Sequence, residues 1–315
     1  MILVTGSSGL IGRSIVKRLV RSSIPVRTFD FHDNPAEDSR SSAALERAMQ
    51  GVTGIIHLAA ISRVVWAEQN PVLCQAVNVN PLREIIDIAL RMEVRPWLIF
   101  ASSREVYGES PSLPVSEDAP LSPLNVYARS KVAGEQLVHH ASAAGLRASL
   151  VRFSNVYGCI HDHSDRVVPA FARTAAEGGV LRLEGADNLF DFTHIDDATD
   201  GLYRSVMATM AGEALPPIHF LTGSGTTLRR LAELAIECAR APVEIVLAPP
   251  RSYDVSRFVG NPERAMVQLG WQPRTGIERG MKDLVDRFAM GELVGASVPF
   301  IDGMTGTAGL GSGLR

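Results

Sequence analysis

Tyr127 and Lys131 form the pattern in this sequence that most directly suggests chemistry. They lie four residues apart at the start of a helical pattern, so both side chains project from one helix face. A nearby ammonium group stabilises a phenolate and lowers the pKa of a tyrosine from its reference value of about 10. The pair therefore predicts a general base that takes a proton from a hydroxyl group near neutral pH.

A glycine-rich turn near the N-terminus predicts a dinucleotide site. Gly6, Gly9 and Gly12 follow a short apolar strand pattern and open a helical pattern. Glycines let the backbone approach a pyrophosphate closely, and the helix N-terminus supplies N–H donors and a positive dipole. The second strand pattern ends at Asp30, where a carboxylate can accept both adenosine ribose hydroxyls. A 2′-phosphate would meet like charge there, so the spacing favours NAD over NADP.

Alternating strand and helix patterns position these residues. Their rhythm over the first half of the chain is typical of parallel strands joined by crossover helices, a Rossmann-like doubly wound α/β sheet. We predict strands at 2–5, 26–29, 54–58, 97–101 and 147–153, with helices at 14–22, 43–49, 72–92 and 127–144.

The rhythm breaks after Gly158, where shorter helical patterns alternate with isolated strand-like pieces such as 218–221 and 244–247. This break predicts a smaller C-terminal α/β substrate-binding lobe. We expect an NAD-binding domain over 1–157, with part of 190–212 returning to it, and a lobe over 158–300 that mainly binds nucleotide sugar. The glycine-rich end, 301–315, is predicted to be a flexible tail.

Composition excludes several function classes. The net charge of −3 supplies no positive field for nucleic acid or an anionic membrane, and no apolar stretch reaches transmembrane length. From the N-terminal residues we expect no signal peptide, and three widely spaced cysteines suit a reducing cytoplasm. His161-Asp162-His163 has too few further ligands nearby for a metal site, so we expect no metal.

Several further motifs carry a family resemblance. Together with the glycine turn and the Tyr-x-x-x-Lys pattern, the sequence resembles the extended short-chain dehydrogenase/reductase family, in its NAD-dependent epimerase/dehydratase branch. The resemblance runs from Met1 to about Pro273. Its other motifs are His57-Leu-Ala-Ala60, Ser102-Ser-Arg-Glu-Val-Tyr-Gly108, Arg152-Phe-Ser-Asn155-Val-Tyr-Gly158, Asp191-Phe-Thr-His-Ile-Asp-Asp197, Arg251-Ser-Tyr-Asp254 and Leu269-Gly-Trp271.

The resemblance implies an activity and a site. Ser103 would share a proton with the sugar C4 oxygen while Tyr127 removes it, and Lys131 would hold the nicotinamide ribose. Arg251 and Asp254 would grip the nucleotide, a charge-assisted contact that also suits a pyrophosphate chemically. The full cofactor-binding prediction is Gly6, Gly9, Leu10, Ile11, Gly12, Asp30, Asp38, Leu58, Ala59, Ala60, Asn78, Tyr127, Lys131 and Phe153. The substrate-binding prediction is Arg63, Ser103, Arg104, Asn155, Arg251 and Asp254.

The sequence also departs from the family pattern. Only about two dozen residues separate Asp30 from the next strand pattern, so the third strand of relatives is shortened or lost, and Asp38 is the best candidate for the adenine contact. Phe190 stands where relatives have an arginine before Asp-Phe and cannot bind a diphosphate. Arg166, Arg173 or Arg257 could then help Arg251.

The pair that follows Ser103 bears most directly on the reaction. The 4,6-dehydratases have acids at both positions, whereas here Arg104 precedes Glu105. We therefore expect a UDP-hexose or UDP-hexuronate 4-epimerase, acting through a 4-keto sugar formed with bound NAD. Glu105, as a catalytic acid or base, keeps a dehydratase or a UDP-glucuronate decarboxylase open, and Arg63 or Arg104 could bind a hexuronate carboxylate.

The sequence leaves a non-catalytic role open and indicates an oligomeric state. Because a fold alone does not guarantee chemistry, a non-catalytic NAD-sensing protein is an alternative. The helical patterns 72–92 and 127–144 resemble those that pair across a homodimer in the family, so we expect a homodimer.

Overall fold

The computed structural model describes residues 1–249 and 255–291. Their strands, in chain order, are β1 (Ile2–Thr5), β2 (Val26–Phe29), β3 (Gly54–His57), β4 (Trp97–Ser103), β5 (Ala148–Phe153), β6 (Asn155–Tyr157), β7 (Gly179–Glu184), β8 (Leu189–His194), β9 (Ile218–Phe220), β10 (Gly225–Thr227), β11 (Val243–Ala248) and β12 (Arg257–Phe258).

The helices of the described residues follow in the same order. They are α1 (Leu10–Arg21), α2 (Ser42–Met49), α3 (Val64–Gln69), α4 (Pro71–Asn78), α5 (Asn80–Arg91), α6 (Val126–Ala143), α7 (Val167–Glu177), α8 (Ile195–Met210), α9 (Leu228–Glu237), α10 (Glu263–Leu269) and α11 (Ile277–Ala289), with a 3-10 turn at Arg104–Tyr107. None of these helices combines the length and the apolar character needed to cross a membrane.

Six parallel strands form the large sheet, in the order β2-β1-β3-β4-β5-β9. Side chains of β1 alternate between its two faces. Ile2 and Val4 pack with α1 and α8, and Leu3 packs with α2, α5 and α6. Helices thus cover both faces, and the predicted doubly wound α/β fold is confirmed.

The edge of this sheet explains the short connection after Asp30. β2 pairs with β1 alone, and the chain from there to β3 forms one helix, α2, instead of a further strand and its crossover. At the opposite edge, β9 pairs with β5 through Ile218, His219 and Phe220. The strand predicted at 218–221 therefore extends the large sheet and is not an isolated piece of the smaller lobe.

The helix predicted at 72–92 is divided in the structure. α4 ends at Asn78 and α5 begins at Asn80, with Pro81 in its first turn. Proline has no N–H and clashes with the preceding turn of a continuous helix, but it fits a first turn well. Since Asn78 ends α4 at this break, its side chain is free to reach a neighbouring loop.

A second hydrophobic core lies in the C-terminal half. β7 and β11 pair in parallel, and α7, α9 and α11 pack together beside them. A separate small sheet joins β10, β8, β12 and β6. α8 leaves this region and packs on α1 and the large sheet through Ala198, Leu202 and Val206.

Candidate active site

The candidate residues gather where the parallel strands end. β1 leads into the glycine turn, β3 into His57 and the loop after it, and β4 ends at Ser103. Carboxyl ends of adjacent parallel strands meet at one edge of a sheet, which is where open α/β sheets bind ligands. α6 packs against β4 and brings Tyr127 and Lys131 to the same edge.

The glycine turn is shaped for close backbone approach. Gly6 has φ +70°, and a Cβ atom there would lie 2.6 Å from the Ala59 nitrogen. A Cβ atom on Gly12 would lie 2.0 Å from the Gly6 oxygen. Gly9 caps α1 in an extended conformation, and the first turn of the helix carries no acid. The turn therefore leaves helix N–H groups available to an anion, and it fits a dinucleotide pyrophosphate.

Asp30 lies directly beside this turn. Its carboxylate accepts hydrogen bonds from the backbone N–H groups of Ser8 and His32, each at 2.9 Å. The residue is buried and follows β2, so the carboxylate is held against the glycine turn, where a ribose-binding carboxylate is expected in this fold.

Asp38 is engaged by its neighbour Arg40. The guanidinium lies 2.6 Å from the Asp38 carboxylate. Burial opposes ionisation of Asp38, but the side-chain and backbone hydrogen bonds of Arg40 hold its pKa below the usual range. Any adenine contact by Asp38 would have to share this ion pair.

The loop after β3 is tied to its surroundings by two side chains. Thr5 Oγ1 shares a 2.8 Å hydrogen bond with His57 and accepts one from the Ala59 nitrogen. Asn78 accepts from the Ile61 nitrogen at 2.7 Å and donates to the Ser130 hydroxyl at 2.9 Å. Leu58, Ala59 and Ala60 therefore follow a fixed backbone path, and Asn78 supports that path from α4.

Lys131 is fully enclosed between β4 and α6. Its Nζ donates to the Ala101 carbonyl oxygen at 2.7 Å and lies 5.8 Å from the centroid of the Tyr127 ring. Burial lowers the pKa of Lys131 to about 8, against the opposing influence of Cys74 and Glu135. Burial, acting most strongly, and the Lys131 charge together lower the pKa of His57 to about 3.

The pKa of Tyr127 differs from the predicted one. Burial, the largest cause, raises the pKa of Tyr127 to about 12, although a hydrogen bond with Ser103 and the Arg166 charge lower it. The negative charge of Glu105 acts in the raising direction. The predicted lowering is therefore not seen, because burial of the phenol outweighs the Ser103 hydrogen bond and the Arg166 charge.

Arg104 and Glu105 neutralise one another next to Ser103. Arg104 Nη2 lies 2.7 Å from Glu105 Oε1, and the guanidinium stacks 4.7 Å from the Phe190 ring centroid. Glu105 Oε2 accepts from Asn125 Nδ2 at 2.9 Å. Asn125 also caps α6 by accepting from the Ala128 nitrogen at 2.8 Å. Both oxygens of Glu105 are thus held by partners, and one of these partners starts the helix of Tyr127.

Arg63 and Asn155, two other predicted substrate residues, each have a buried nitrogen without a hydrogen-bond partner. Arg63 pairs with Asp165 at 2.5 Å, and its Nε is buried without a hydrogen-bond partner. Asn155, in β6, also has an unpartnered, buried Nδ2. Phe153, a predicted cofactor-binding residue, ends β5 and is buried. Arg251 and Asp254 lie outside the described residues.

Three residues near this site were missed by the sequence interpretation: Asn125, Ser130 and Glu135. Asn125 had a readable signal, because asparagine before a helical pattern is a preferred N-cap. Glu135 lies eight residues after Tyr127 and pairs with Arg152, a long-range contact that carries no local signal. Among the described residues, no group of three or more His, Cys, Asp or Glu side chains could hold a metal ion.

Solved structures share this fold. The UDP-glucose 4-epimerase of Thermus thermophilus, in complex with NAD, is 28% identical, has a TM-score of 0.82 and is matched over 93% of this chain and 99% of that chain. MoeE5, in complex with UDP-glucuronic acid and NAD, is 25% identical with a TM-score of 0.85, over 93% of this chain and 99% of that one.

Sequence comparison leads to the same group of proteins. The UDP-glucose 4-epimerase of Mycolicibacterium smegmatis is 29% identical over 309 residues, which cover 91% of this chain and 97% of the relative. Residues 2–215 match the family described as NAD dependent epimerase/dehydratase. The match spans both the glycine turn and the Ser103, Tyr127 and Lys131 set, and the chain belongs to this NAD dependent epimerase/dehydratase family.

Proposed function

We propose that this protein is a nucleotide-sugar 4-epimerase that acts on a UDP-hexose or UDP-hexuronate with bound NAD. The observation that carries the proposal is the buried contact of Ser103 with Tyr127, beside Lys131, at the end of β4. The relatives named for UDP-glucose and the UDP-sugar complexes of similar structures support the choice of substrate class.

The chain has the residues to hold NAD. The glycine turn and the N-terminus of α1 would receive the pyrophosphate, and Asp30 the adenosine ribose. Lys131 would bind the nicotinamide ribose, near the loop of Leu58 and Ala59. Bound NAD supplies a hydride acceptor that later returns the hydride.

The catalytic side chains would manage the proton on the sugar C4 oxygen. Tyr127 takes that proton and gives it back, and the Ser103 hydroxyl holds the oxygen between them. With a pKa of about 12, Tyr127 requires a positive neighbour to act as a base near neutral pH. Arg166 is a cation that already lowers the pKa of Tyr127. We assign the same role to Lys131 on the same helix, whose own pKa of about 8 leaves it charged at pH 7.

The engagement of Glu105 favours epimerisation over elimination. A dehydratase or decarboxylase would need this carboxylate to exchange protons with the sugar. Its two oxygens instead accept from Arg104 and Asn125 at 2.7 and 2.9 Å. We therefore assign Glu105 to the support of Arg104 and of the start of α6, and place proton transfer on Tyr127.

The remaining substrate contacts are proposed from charge and position. Arg63 and Asn155 offer buried donors to anionic or hydroxyl oxygens of the substrate. Arg104 adds a cation beside Ser103, stacked on Phe190. Arg251 and Asp254 stay predicted nucleotide ligands, and the C-terminal lobe is proposed to hold the nucleotide while the sugar turns over.

A homodimer through α5 and α6 and a cytoplasmic location are also proposed. α5 and α6 lie side by side, and Leu90 and Leu137, which pack against the core, are only partly buried. The three cysteines are free thiols, as suits a reducing compartment. Light scattering of the purified protein tests the dimer.

The function is tested by incubating the NAD-loaded protein with UDP-glucose, UDP-glucuronate and their dTDP and GDP counterparts. An isomer of unchanged mass is the expected product. Loss of water or of carbon dioxide would instead identify a dehydratase or decarboxylase, and no conversion of any sugar would favour a sensor. Tyr127→Phe is the inactive control, which should still bind NAD.

A further inference from the structure

A buried ion pair lies directly behind the proposed catalytic residues. Arg152 donates to Glu135 through Nε at 2.8 Å and through Nη2 at 2.6 Å. Glu135 is 1% exposed and Arg152 3%. A two-point contact of this kind fixes the relative position of α6, which carries Glu135, and β5, which carries Arg152.

The same carboxylate also holds the strand of the catalytic serine. Ser102 Oγ donates to Glu135 Oε1 at 2.5 Å. Ser102 precedes Ser103 at the end of β4, while Glu135 lies one helical turn after Lys131 and two turns after Tyr127. Glu135 therefore joins the two elements that must meet for Ser103 to reach Tyr127.

Arg152 extends the connection to the turn after Ser103. Its Nη1 donates to the Tyr107 hydroxyl at 2.5 Å and to the Glu117 carbonyl oxygen at 2.7 Å. The Tyr107 hydroxyl shares a further 2.6 Å hydrogen bond with His219. Tyr107 ends the 3-10 turn that begins at Arg104. Glu135 holds the chain before this turn through Ser102, and Arg152 holds the end of the turn through Tyr107, so one ion pair anchors both ends.

Glu135 is also a charge near Lys131. The titratable groups around the ammonium are Tyr127 and Glu135 on its own helix, Cys74 on α4 and His57 on β3. Burial depresses the pKa of Lys131, and the Cys74 and Glu135 contributions oppose this. Since His57 is neutral near pH 7, Glu135 is the formal negative charge in this set that supports the ammonium.

Stability alone explains this arrangement poorly. A buried ion pair is often no more stabilising than apolar residues of the same volume, because both charges lose their hydration. Fixed register between elements is the best-attested benefit of such a pair. Here the register in question is that of β4 against α6, the two elements that carry the reacting side chains.

We propose that Glu135 is a positioning residue for the epimerase reaction. Glu135 aligns Ser103 with Tyr127 through Ser102 and Arg152, and its charge supports the Lys131 ammonium. The proposal rests on the proposed function for its kinetic readouts. Its structural readouts are independent of any substrate.

Two substitutions separate position from charge. Ser102→Ala removes the link to β4 without changing any charge. We expect kcat to fall roughly tenfold, as for a lost buried hydrogen bond that orients a reacting group, with KM and the alkaline limb of the pH profile unchanged. Glu135→Gln should lower kcat further. It should also move the alkaline limb of the pH profile, where Lys131 loses its proton, to lower pH by about one unit, because Lys131 loses its counter-charge.

Matched controls identify effects of lost stability alone. Ser205→Ala removes another buried serine hydroxyl, which bonds to Gly201 within α8. Asp197→Asn changes another buried carboxylate, which accepts from the Thr275 nitrogen at 2.9 Å. Both controls should lower the melting temperature and leave kcat and the pH profile as in the parent protein.

Crystal structures of Ser102→Ala and Ser205→Ala provide the second readout. We expect Ser103 Oγ to move away from the Tyr127 hydroxyl in Ser102→Ala and to stay in place in Ser205→Ala. An unmoved Ser103 together with an unchanged kcat in Ser102→Ala overturns the positioning proposal, even if Glu135→Gln fails to fold. If the parent protein converts no nucleotide sugar, the proposed function fails, and the two crystal structures decide the positioning proposal by themselves.

Discussion

Glu105→Gln distinguishes the proposed reaction from its nearest alternative. In the parent protein, Glu105 Oε2 accepts from the Asn125 amide at 2.9 Å and Oε1 lies 2.7 Å from Arg104. The glutamine carbonyl oxygen can still accept the hydrogen bond from Asn125. Its NH2 group, however, then faces Arg104, with which it forms no ion pair. Arg104 then becomes an uncompensated, largely buried cation. Breaking such a pair costs about 3–5 kcal/mol, and we expect the lower end because the guanidinium keeps its stacking on Phe190 and Phe258.

The catalytic effect should be much smaller than the structural one. If Glu105 only positions its neighbours, kcat should fall less than about tenfold, whereas removal of a general acid or base costs about 10²–10⁴-fold. Loss of the Glu105 charge should also lower the pKa of Tyr127, since that charge raises it. The ascending limb of the pH profile should therefore move to lower pH.

The assay combines product analysis with a stability measurement. Epimerisation of the accepted nucleotide sugar is followed over a pH series, and thermal unfolding of the same samples reports the cost to the fold. Tyr127→Phe, without turnover, sets the background. A variant that is folded, retains NAD and has lost more than about a hundredfold in kcat would refute our assignment of Glu105 and restore it as a proton-transfer group.

Three further predictions concern the cofactor, the sugar and the fold. Asp30→Asn should weaken NAD binding roughly 10- to 100-fold, which is the usual range for hydrogen bonds to a charged group. The substitution should also reduce the preference for NAD over NADP. An unchanged Kd for NAD in calorimetry would contradict the assignment of Asp30 to the ribose. Arg63→Met or Arg104→Met should reduce kcat/KM for UDP-glucuronate relative to UDP-glucose, and unchanged ratios in both variants would exclude a carboxylate contact. His57 and His219 have folded-state pKa values of about 3, far below the usual 6.5, so their neutral forms belong to the native state. Stability should be full above about pH 6.5 and fall by about 1.4 kcal/mol per pH unit for each imidazole as pH decreases towards about 3. Thermal melts with a flat profile over that range would show that both rings are protonated in the native state.

Local signals in the sequence were sufficient for much of the fold. Strand and helix patterns, the glycine turn and Asp30 each depend on neighbours in the chain, and the structure has the predicted parallel sheet at these places. The break at Pro81 was also readable, since proline favours the first turn of a helix. The place of β9 in the large sheet could not be read from the sequence, because its pairing with β5 depends on contacts between residues that are distant in sequence.

Electrostatics of the site could be predicted only in part. The spacing of Tyr127 and Lys131 indicates that the two groups are close, but the raised pKa of Tyr127 depends on how deeply the phenol is buried. Likewise, Arg104 and Glu105 are adjacent in the chain, yet nothing local reveals that Asn125 holds the second carboxylate oxygen. Desolvation and long-range hydrogen bonds are properties of the packed structure.

The Arg104, Glu105 and Asn125 cluster bears on how such a protein could acquire a different reaction during evolution. Elimination chemistry needs a free carboxylate at position 105, so both partners of Glu105 would have to release it. Replacing Arg104 alone leaves Glu105 tied to the cap of α6, and replacing Asn125 alone removes that cap. Either single replacement therefore disturbs an existing contact without fully freeing the carboxylate, so a change of reaction at this site requires at least two coordinated substitutions.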